Sequence, residues 1–240
     1  KTKTREPFKI YNFLKGKKSN NISMGMIGLN KKKSLFQKLS LFIRANFFIP
    51  DARKGWLKYA LKEVDTILKE NKIDAFITTG PPMSVHLIGL EIKRKYKIPW
   101  VSDFRDPWTS VYYNEYLPRT KRTKKIDKMY EDSVLSNSDS VVVVANGMKQ
   151  EFLDRNKSID VIYNGYDISD IKNINKLHTD KFTMSYVGNF KPNQNIYNLW
   201  EGLEELVNEN KIDINDVLIE FTGNVDAGTV DYIKTKKIKS

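Results

Sequence analysis

"IDAFITTGPPMSVHLIGLEIKRKYKIPWVSDFRDPW", residues 73 to 108, holds two short apolar runs separated by a stretch of helical spacing. The first run, 73 to 79, is compact and rich in β-branched and aromatic side chains. It stops at Gly80-Pro81-Pro82, as a buried strand does at a sharp turn. A helix over 83 to 96 follows, and "IPWVSD" (98 to 103) supplies a second strand. Strand, crossover helix and strand make a βαβ unit, whose two strands lie parallel.

The alternation extends in both directions. Upstream, Asp51 is placed to cap a helix over 52 to 71, in which Trp56, Ala60, Val64, Ile67 and Leu68 recur at helical spacing. Before it, "SLFIRANFFIP" (40 to 50) reads as a helix entering the core, and Gly25, Gly28 and "LNKKKS" (29 to 34) as loop. Downstream, residues 122 to 138 carry Ile126, Met129, Tyr130, Ser133 and Val134 on one helical face. "DSVVVVA" (139 to 145) is a strand, 147 to 156 a helix and "IDVIYNG" (159 to 165) a further strand. Repeated βαβ units imply an α/β domain with a doubly wound parallel sheet and helices on both faces. The polar stretch 166 to 180 reads as a linker. A second α/β domain opens with "KFTMSYVGNF" (181 to 190), continues with a helix at 195 to 210 and a strand at 216 to 224, and runs to 240.

The chain has 240 residues, 40% hydrophobic and 12% aromatic, enough for two cores. No apolar run approaches the roughly 18 residues that span a bilayer, and the first residues lack a signal-peptide core. Cysteine is absent, which excludes disulfides and thiolate-held zinc, and no His or carboxylate cluster has metal-ligand spacing. Lys and Arg total 41 against 29 Asp and Glu, a net charge of +12 that favours anionic partners such as phosphorylated substrates or lipid headgroups. The basic residues fall in "KGKK", "NKKKS", "RTKRTKK" and "KTKKIKS" with little aromatic interleaving. No nucleic-acid reader motif accompanies them. No Gly-x-Gly-x-x-Gly follows a strand, which disfavours a dinucleotide dehydrogenase.

In an open parallel sheet, ligands gather at the carboxyl ends of the strands. Four strand-end loops therefore matter: "TTGPPMSVH" (78 to 86), "SDFRDPW" (102 to 108), "ANG" (145 to 147) and "YNGYD" (163 to 167). In the first, Gly80 permits a close backbone approach or a positive φ, and His86 near a helix N-terminus suits a neutral hydrogen-bonding group or a base. The other reading is a plain turn with a space-filling imidazole. In the second, Asp103 and Asp106 can accept a proton or a hydroxyl hydrogen bond, Arg105 can grip a carboxylate or phosphate, and Trp108 can stack on a sugar ring. The other reading is an Asp-Arg pair that holds the loop, with Trp108 packed beneath. Asn164-Gly165 is a turn at the end of the last strand of the first domain.

These pieces together resemble glycosyltransferases of the GT-B fold, close to family 4. "VIYNGYD" (161 to 167) is similar to that family's motif at the domain junction, and "SYVGNFKPNQN" (185 to 195) to the opening strand and diphosphate-facing loop of its nucleotide-binding domain. Residues 78 to 108 look like the acceptor-side segment of a bacterial, cell-surface polysaccharide subgroup. The resemblance implies two Rossmann-like domains, an acceptor-side one over 1 to 165 and the start of a nucleotide-sugar-binding one over 181 to 240, the second truncated. It implies a transferase of the hexosyl type that moves a sugar from a nucleotide-diphosphate donor to a hydroxyl of a glycan or lipid-linked saccharide. Asp103 and Asp106 would be catalytic. Gly80, His86, Arg105, Trp108, Asn164 and Gly165 would bind substrate, and Gly188, Asn189 and Lys191 the donor diphosphate. No metal or other cofactor is implied beyond the nucleotide-sugar co-substrate. The expected setting is cytoplasmic, with peripheral contact at an anionic membrane and no nucleic-acid partner. Many relatives have histidine where Asp103 stands and Gly-Arg ahead of the lysine. The family's Gly-rich first βα turn is not found before residue 50 and its paired glutamates would lie beyond 240, so the chain reads as a fragment, inactive alone. A nucleotide-sugar epimerase of the same fold and a non-catalytic carbohydrate-binding scaffold are the competing readings.

Overall fold

The computed structural model describes residues 35 to 171, 180 to 236 and 238. The loop expected around Gly25 and Gly28 and most of the expected 166 to 180 linker lie outside these residues. The chain divides into two compact units, parted between Tyr166 and Asp167.

The first unit contains, in order, α1 (Leu35–Phe47), a 3-10 turn (Lys54–Trp56), α2 (Leu57–Glu70), β1 (Phe76–Gly80), α3 (Ser84–Tyr96), β2 (Trp100–Phe104), a 3-10 segment (Tyr112–Tyr116), α4 (Lys121–Asn137), β3 (Ser140–Val143), α5 (Asn146–Phe152) and β4 (Ile159–Val161). The four strands are parallel in the order β1-β2-β3-β4. α3 ends where Lys97 takes a left-handed φ of 59° and Pro99 forbids another turn, with Lys93, Arg94 and Lys95 complementing its carboxyl end. α4 begins at Thr120, whose side chain accepts from the Thr123 amide.

Asp51 precedes turns that lead through the 3-10 segment into α2, and its Oδ1 accepts from the Arg53 amide at 2.7 Å. Its carboxylate also reaches across the fold: Oδ2 accepts from the Ser84 amide at 2.8 Å and Oδ1 from the Ser84 hydroxyl at 2.9 Å. A carboxylate 33 residues away thus satisfies the N-terminus of α3.

Strand alternation divides the sheet into two unlike faces. Trp100, Phe104, Val141, Val143 and Ile159 enter one core with Leu87 and Leu90 of α3, Val134 and Leu135 of α4, and Met148 and Phe152 of α5. All three crossover helices therefore pack on that side. Right-handed crossovers that step in one direction across a sheet require this. Of the two faces expected to be covered by helices, the crossover helices among the described residues cover one. On the other, Ile77, Thr79, Val101, Asp103 and Val142 are exposed or half-buried, Ile77 at 69%. α2 packs outside α3, through Ala60 against Ile88 and Ile92.

The second unit is β5 (Phe182–Val187), α6 (Tyr197–Asn208), β6 (Val217–Thr222) and α7 (Ala227–Lys234), with β5 and β6 parallel. Trp200, Leu203 and Ile238 form its core with Met184, Val207, Ile219 and Phe221 packed against them. Each unit is a parallel α/β layer of the Rossmann-like kind.

Candidate functional site

The "SDFRDPW" loop sends its side chains to three different places. Asp103, on the outer sheet face one residue from the end of β2, lies beside its register partner Thr79, whose hydroxyl donates to Asp103 Oδ2 at 2.6 Å. Arg105 is exposed and turns back on the neighbouring loop: Nη2 donates to the Pro81 carbonyl at 2.6 Å and its amide to the Gly80 carbonyl at 2.9 Å. Asp106 is half-buried near Tyr113.

Trp108 does not present a face to a sugar. It is 2% exposed, stands 6.2 Å from His86 ring to ring, and donates its indole N–H to Asp127 Oδ1 at 2.8 Å. Asp127 is itself buried and paired with Arg119; burial pushes its carboxyl up, against the opposing pull of Arg119 and Trp108. Next to it on α4, fully buried Glu131 accepts from the Thr109 amide at 3.0 Å and from Lys128 and Arg155, each at 2.7 Å. The indole and these two acids hold the 105 to 119 segment down on α4.

His86 is likewise sealed in the core. It is 0% exposed, with Nδ1 paired to Thr78 Oγ1 at 2.8 Å and its ring stacked on Phe104 at 4.4 Å. Burial holds its pKa down at about 3, so the imidazole stays neutral, as expected, but it cannot meet a ligand. Gly80 has no positive φ. Its missing side chain makes room for this ring, since a Cβ there would lie 2.5 Å from His86 Nε2. Asn164 and Gly165 are exposed in a stretch without a hydrogen-bonded turn, and a Cβ on Gly165 would meet nothing within 4 Å.

In the second unit, Gly188 and Asn189 end β5. Gly188 has φ +132° and donates its amide to the Thr222 carbonyl at 2.8 Å. Gly223, at the end of β6, has φ +127°, and a Cβ there would lie 2.2 Å from the Gly188 carbonyl oxygen. Only glycine fits this back-to-back approach. The Asn224 amide group donates to Asn189 Oδ1 at 2.9 Å, so two Gly-Asn pairs meet at one strand edge. Lys191 follows, half-buried, its amide donating to Gln194 Oε1.

The family model for glycosyltransferase family 4 matches residues 28–170, more than half of the chain. The chain belongs to glycosyltransferase family 4. A comparison with curated proteins finds no match. As a glycosyltransferase it has, at the carboxyl edge of its first sheet, a carboxylate oriented by a hydroxyl and flanked by the Arg105 loop. That arrangement can bind and polarise a sugar hydroxyl. Among the described residues, no group of three or more His, Cys, Asp or Glu is arranged to hold a metal, and no helix is long and apolar enough to cross a membrane.

Several residues near this edge escape sequence reasoning. Tyr113 is pushed up to about 12 by burial, with Asp106 and Asp51 adding to the shift. Burial lowers Arg44 against the opposing charges of Asp51 and Tyr113. Arg44, Asp51, Asp106 and Tyr113 thus influence one another from four separate segments, and Asp51 links them to the N-terminus of α3. A cavity of about 320 Å³ lies elsewhere, between Thr109, Asn114 and Glu115 and the first turns of α4. The legible signals were the acids Asp127 and Glu131, four apart on a helix following a tryptophan that needs a partner for its N–H. The repeated Gly-Asn at 188 to 189 and 223 to 224 was another.

Proposed function

We propose that this glycosyltransferase moves a sugar, of the hexosyl class, from a nucleotide-diphosphate donor to a hydroxyl of a glycan or lipid-linked saccharide, in bacterial cell-surface polysaccharide synthesis. The observation that carries the acceptor assignment is the Thr79–Asp103 pair on the outer face at the carboxyl edge of the sheet. Thr79 occupies one carboxylate oxygen, Oδ2, and Oδ1 is the atom proposed to accept from an acceptor hydroxyl. Asp106 and Arg105 contribute from the adjoining loop, Asp106 as a second proton acceptor and Arg105 as a donor to acceptor oxygens. In the reaction the bond between the sugar's anomeric carbon and the diphosphate breaks, and a bond to the acceptor oxygen forms. The acceptor's proton leaves to a base, and the diphosphate departs as an anion. Gly188, Asn189 and Lys191 are the groups proposed to receive that anion, Lys191 by its charge and the glycine by allowing close approach. Asn164 and Gly165, exposed at the end of the first unit, are the groups proposed to contact substrate from that strand end.

Incubating the full-length enzyme with nucleotide sugars, with and without acceptor glycans, tests this reading. Release of nucleoside diphosphate that depends on acceptor, with a new glycosidic product, is expected. Conversion of the nucleotide sugar without any acceptor would instead identify an epimerase, and no turnover with any donor–acceptor pair would remove the assignment.

A further inference from the structure

The 105 to 119 segment, which leaves β2 and leads into α4, borders a cavity of about 320 Å³. Small-ligand pockets run from roughly 300 to 1,000 Å³, so this one has room for a single ring. Its floor is the ion pair of Arg119 and Asp127, whose side chains are 8% and 2% exposed. Arg119 donates from Nη1 to Asp127 and from Nη2 to the Pro50 carbonyl at 3.2 Å, while its Nε–H is buried with no acceptor. A guanidinium is a donor-only group, and leaving one of its buried N–H groups unfilled is unfavourable unless something else supplies an oxygen.

The walls divide charge from hydrogen-bond acceptors. On α4, Lys124 and Lys128 stand one turn apart on the face that lines the cavity. Lys128 is taken by Glu131 and Asp132, at 2.7 and 2.9 Å, whereas the Lys124 ammonium has no partner among the described residues. The first turns of a helix add partial positive charge. On the loop, Asn114 donates its side-chain amide to the Trp108 and Thr109 carbonyls, at 3.1 and 3.0 Å, which leaves Oδ1 to accept. The exposed Glu115 carboxylate beside it likewise has no partner among the described residues. With Arg119 and Asp127 neutralising each other, the uncommitted charges are the cation of Lys124 and the carboxylate of Glu115.

We propose that this cavity is an acceptor subsite for a sugar that carries a carboxylate, a uronic acid residue of the acceptor glycan. The sugar's carboxylate takes the Lys124 ammonium and the unfilled guanidinium donor in charge-assisted hydrogen bonds. Its ring hydroxyls donate to Asn114 Oδ1 and to Glu115. A neutral sugar leaves the cation unmatched. A sugar phosphate brings a second negative charge next to Glu115 and Asp127, with a single uncommitted cation to meet it. Arg105 and Asp106, at the start of the same segment, are already assigned to the acceptor, so the subsite extends that surface along one stretch of chain. The inference names the acceptor's chemical class and rests on the reading of the site given above.

Titration with D-glucuronate, D-glucose and glucose 6-phosphate in the absence of donor, followed by saturation-transfer NMR, tests the pocket. D-Glucuronate is expected to bind at least about tenfold more tightly than either of the others, and more weakly as salt rises. Lys124→Gln should lose about tenfold of that binding, and Lys72→Gln, outside the cavity, none; both side chains are exposed, so circular dichroism should not change. Glu115→Gln should raise glucose 6-phosphate binding by removing a repelling charge. In transfer by the full-length enzyme, a uronate-bearing acceptor should show a lower KM than its neutral counterpart, and Lys124→Gln should erase the difference with kcat unchanged. Absence of D-glucuronate binding, or binding that Lys124→Gln leaves intact, overturns the proposal whatever the enzyme transfers. A preference for glucose 6-phosphate overturns the carboxylate assignment, and equal KM values for the two acceptors overturn the acceptor subsite. Failure to transfer to any acceptor removes the reading above, while the titrations still decide whether the cavity takes a carboxylate sugar.

Discussion

Asp103 and His86 lie near the same strand ends and have opposite fates, and each carries a prediction. Asp103 faces outward beside Thr79. Asp103→Asn keeps the shape and a hydrogen bond to Thr79 but removes a proton acceptor. Transfer activity should fall by about 10²-fold or more, with thermal stability nearly unchanged, as assayed by diphosphate release and a melting curve. Asp106→Asn, compared in the same assay, shows which carboxylate the reaction uses; normal turnover in both would remove the acid–base assignment. His86 is sealed inside with a pKa near 3, whereas the unfolded chain binds a proton near 6.5. The folded value is depressed, so the stability His86 contributes is complete above about pH 6.5 and is lost as pH falls toward 3. Its limiting slope is about 1.4 kcal/mol per pH unit. Urea denaturation at pH 7 and pH 5 should show that loss, and His86→Gln should reduce the pH dependence even though it lowers stability at pH 7. Residue types at 102 to 108 singled this loop out in the sequence. They did not show which group faced out, because direction depends on strand register and on acids such as Asp127 far along the chain.

At the scale of elements, strand and helix order was legible from apolar period, while the buried face of α4 was only partly read: Val134 is buried and Tyr130 packs against the core. Met129, assigned inward, is 54% exposed, and the buried positions are Thr123, Asp127, Glu131, Val134 and Leu135. Periodicity counts apolar residues, and here carboxylates occupy core positions because Arg119, Arg155, Trp108 and Thr109 meet them there. Asp127→Ala leaves Arg119 buried without its partner carboxylate and should cost about 3–5 kcal/mol in chemical denaturation. A loss under 1 kcal/mol would mean the pair is not holding the 105 to 119 segment. α3 offers a test in which local propensity and packing disagree. Gly89→Ala improves helix propensity by about 1 kcal/mol. Its new Cβ, however, would lie 2.6 Å from the Trp100 ring and 2.8 Å from Thr78 Cγ2. Overpacking typically costs 1–3 kcal/mol, so the variant should melt lower than the parent.

For the whole molecule, two separate cores make a single unfolding free energy unsuitable. Gly223→Ala forces a left-handed φ and a backbone collision in the second unit, and should lower the transition of that unit. Gly89→Ala should lower the transition of the first; hydrogen-exchange mass spectrometry resolves the two by peptide. A uniform loss of protection in both units from either change would show that they unfold as one. Along β2, neighbouring positions have opposite surroundings. Trp100, Ser102 and Phe104 are completely buried, while Val101 and Asp103 stand on the outer face. Randomising 77, 79, 101, 103 and 142 together should therefore lose only a small fraction of the library to misfolding. The same number of changes at 100, 102, 104, 141 and 143 would leave few members folded enough to assay.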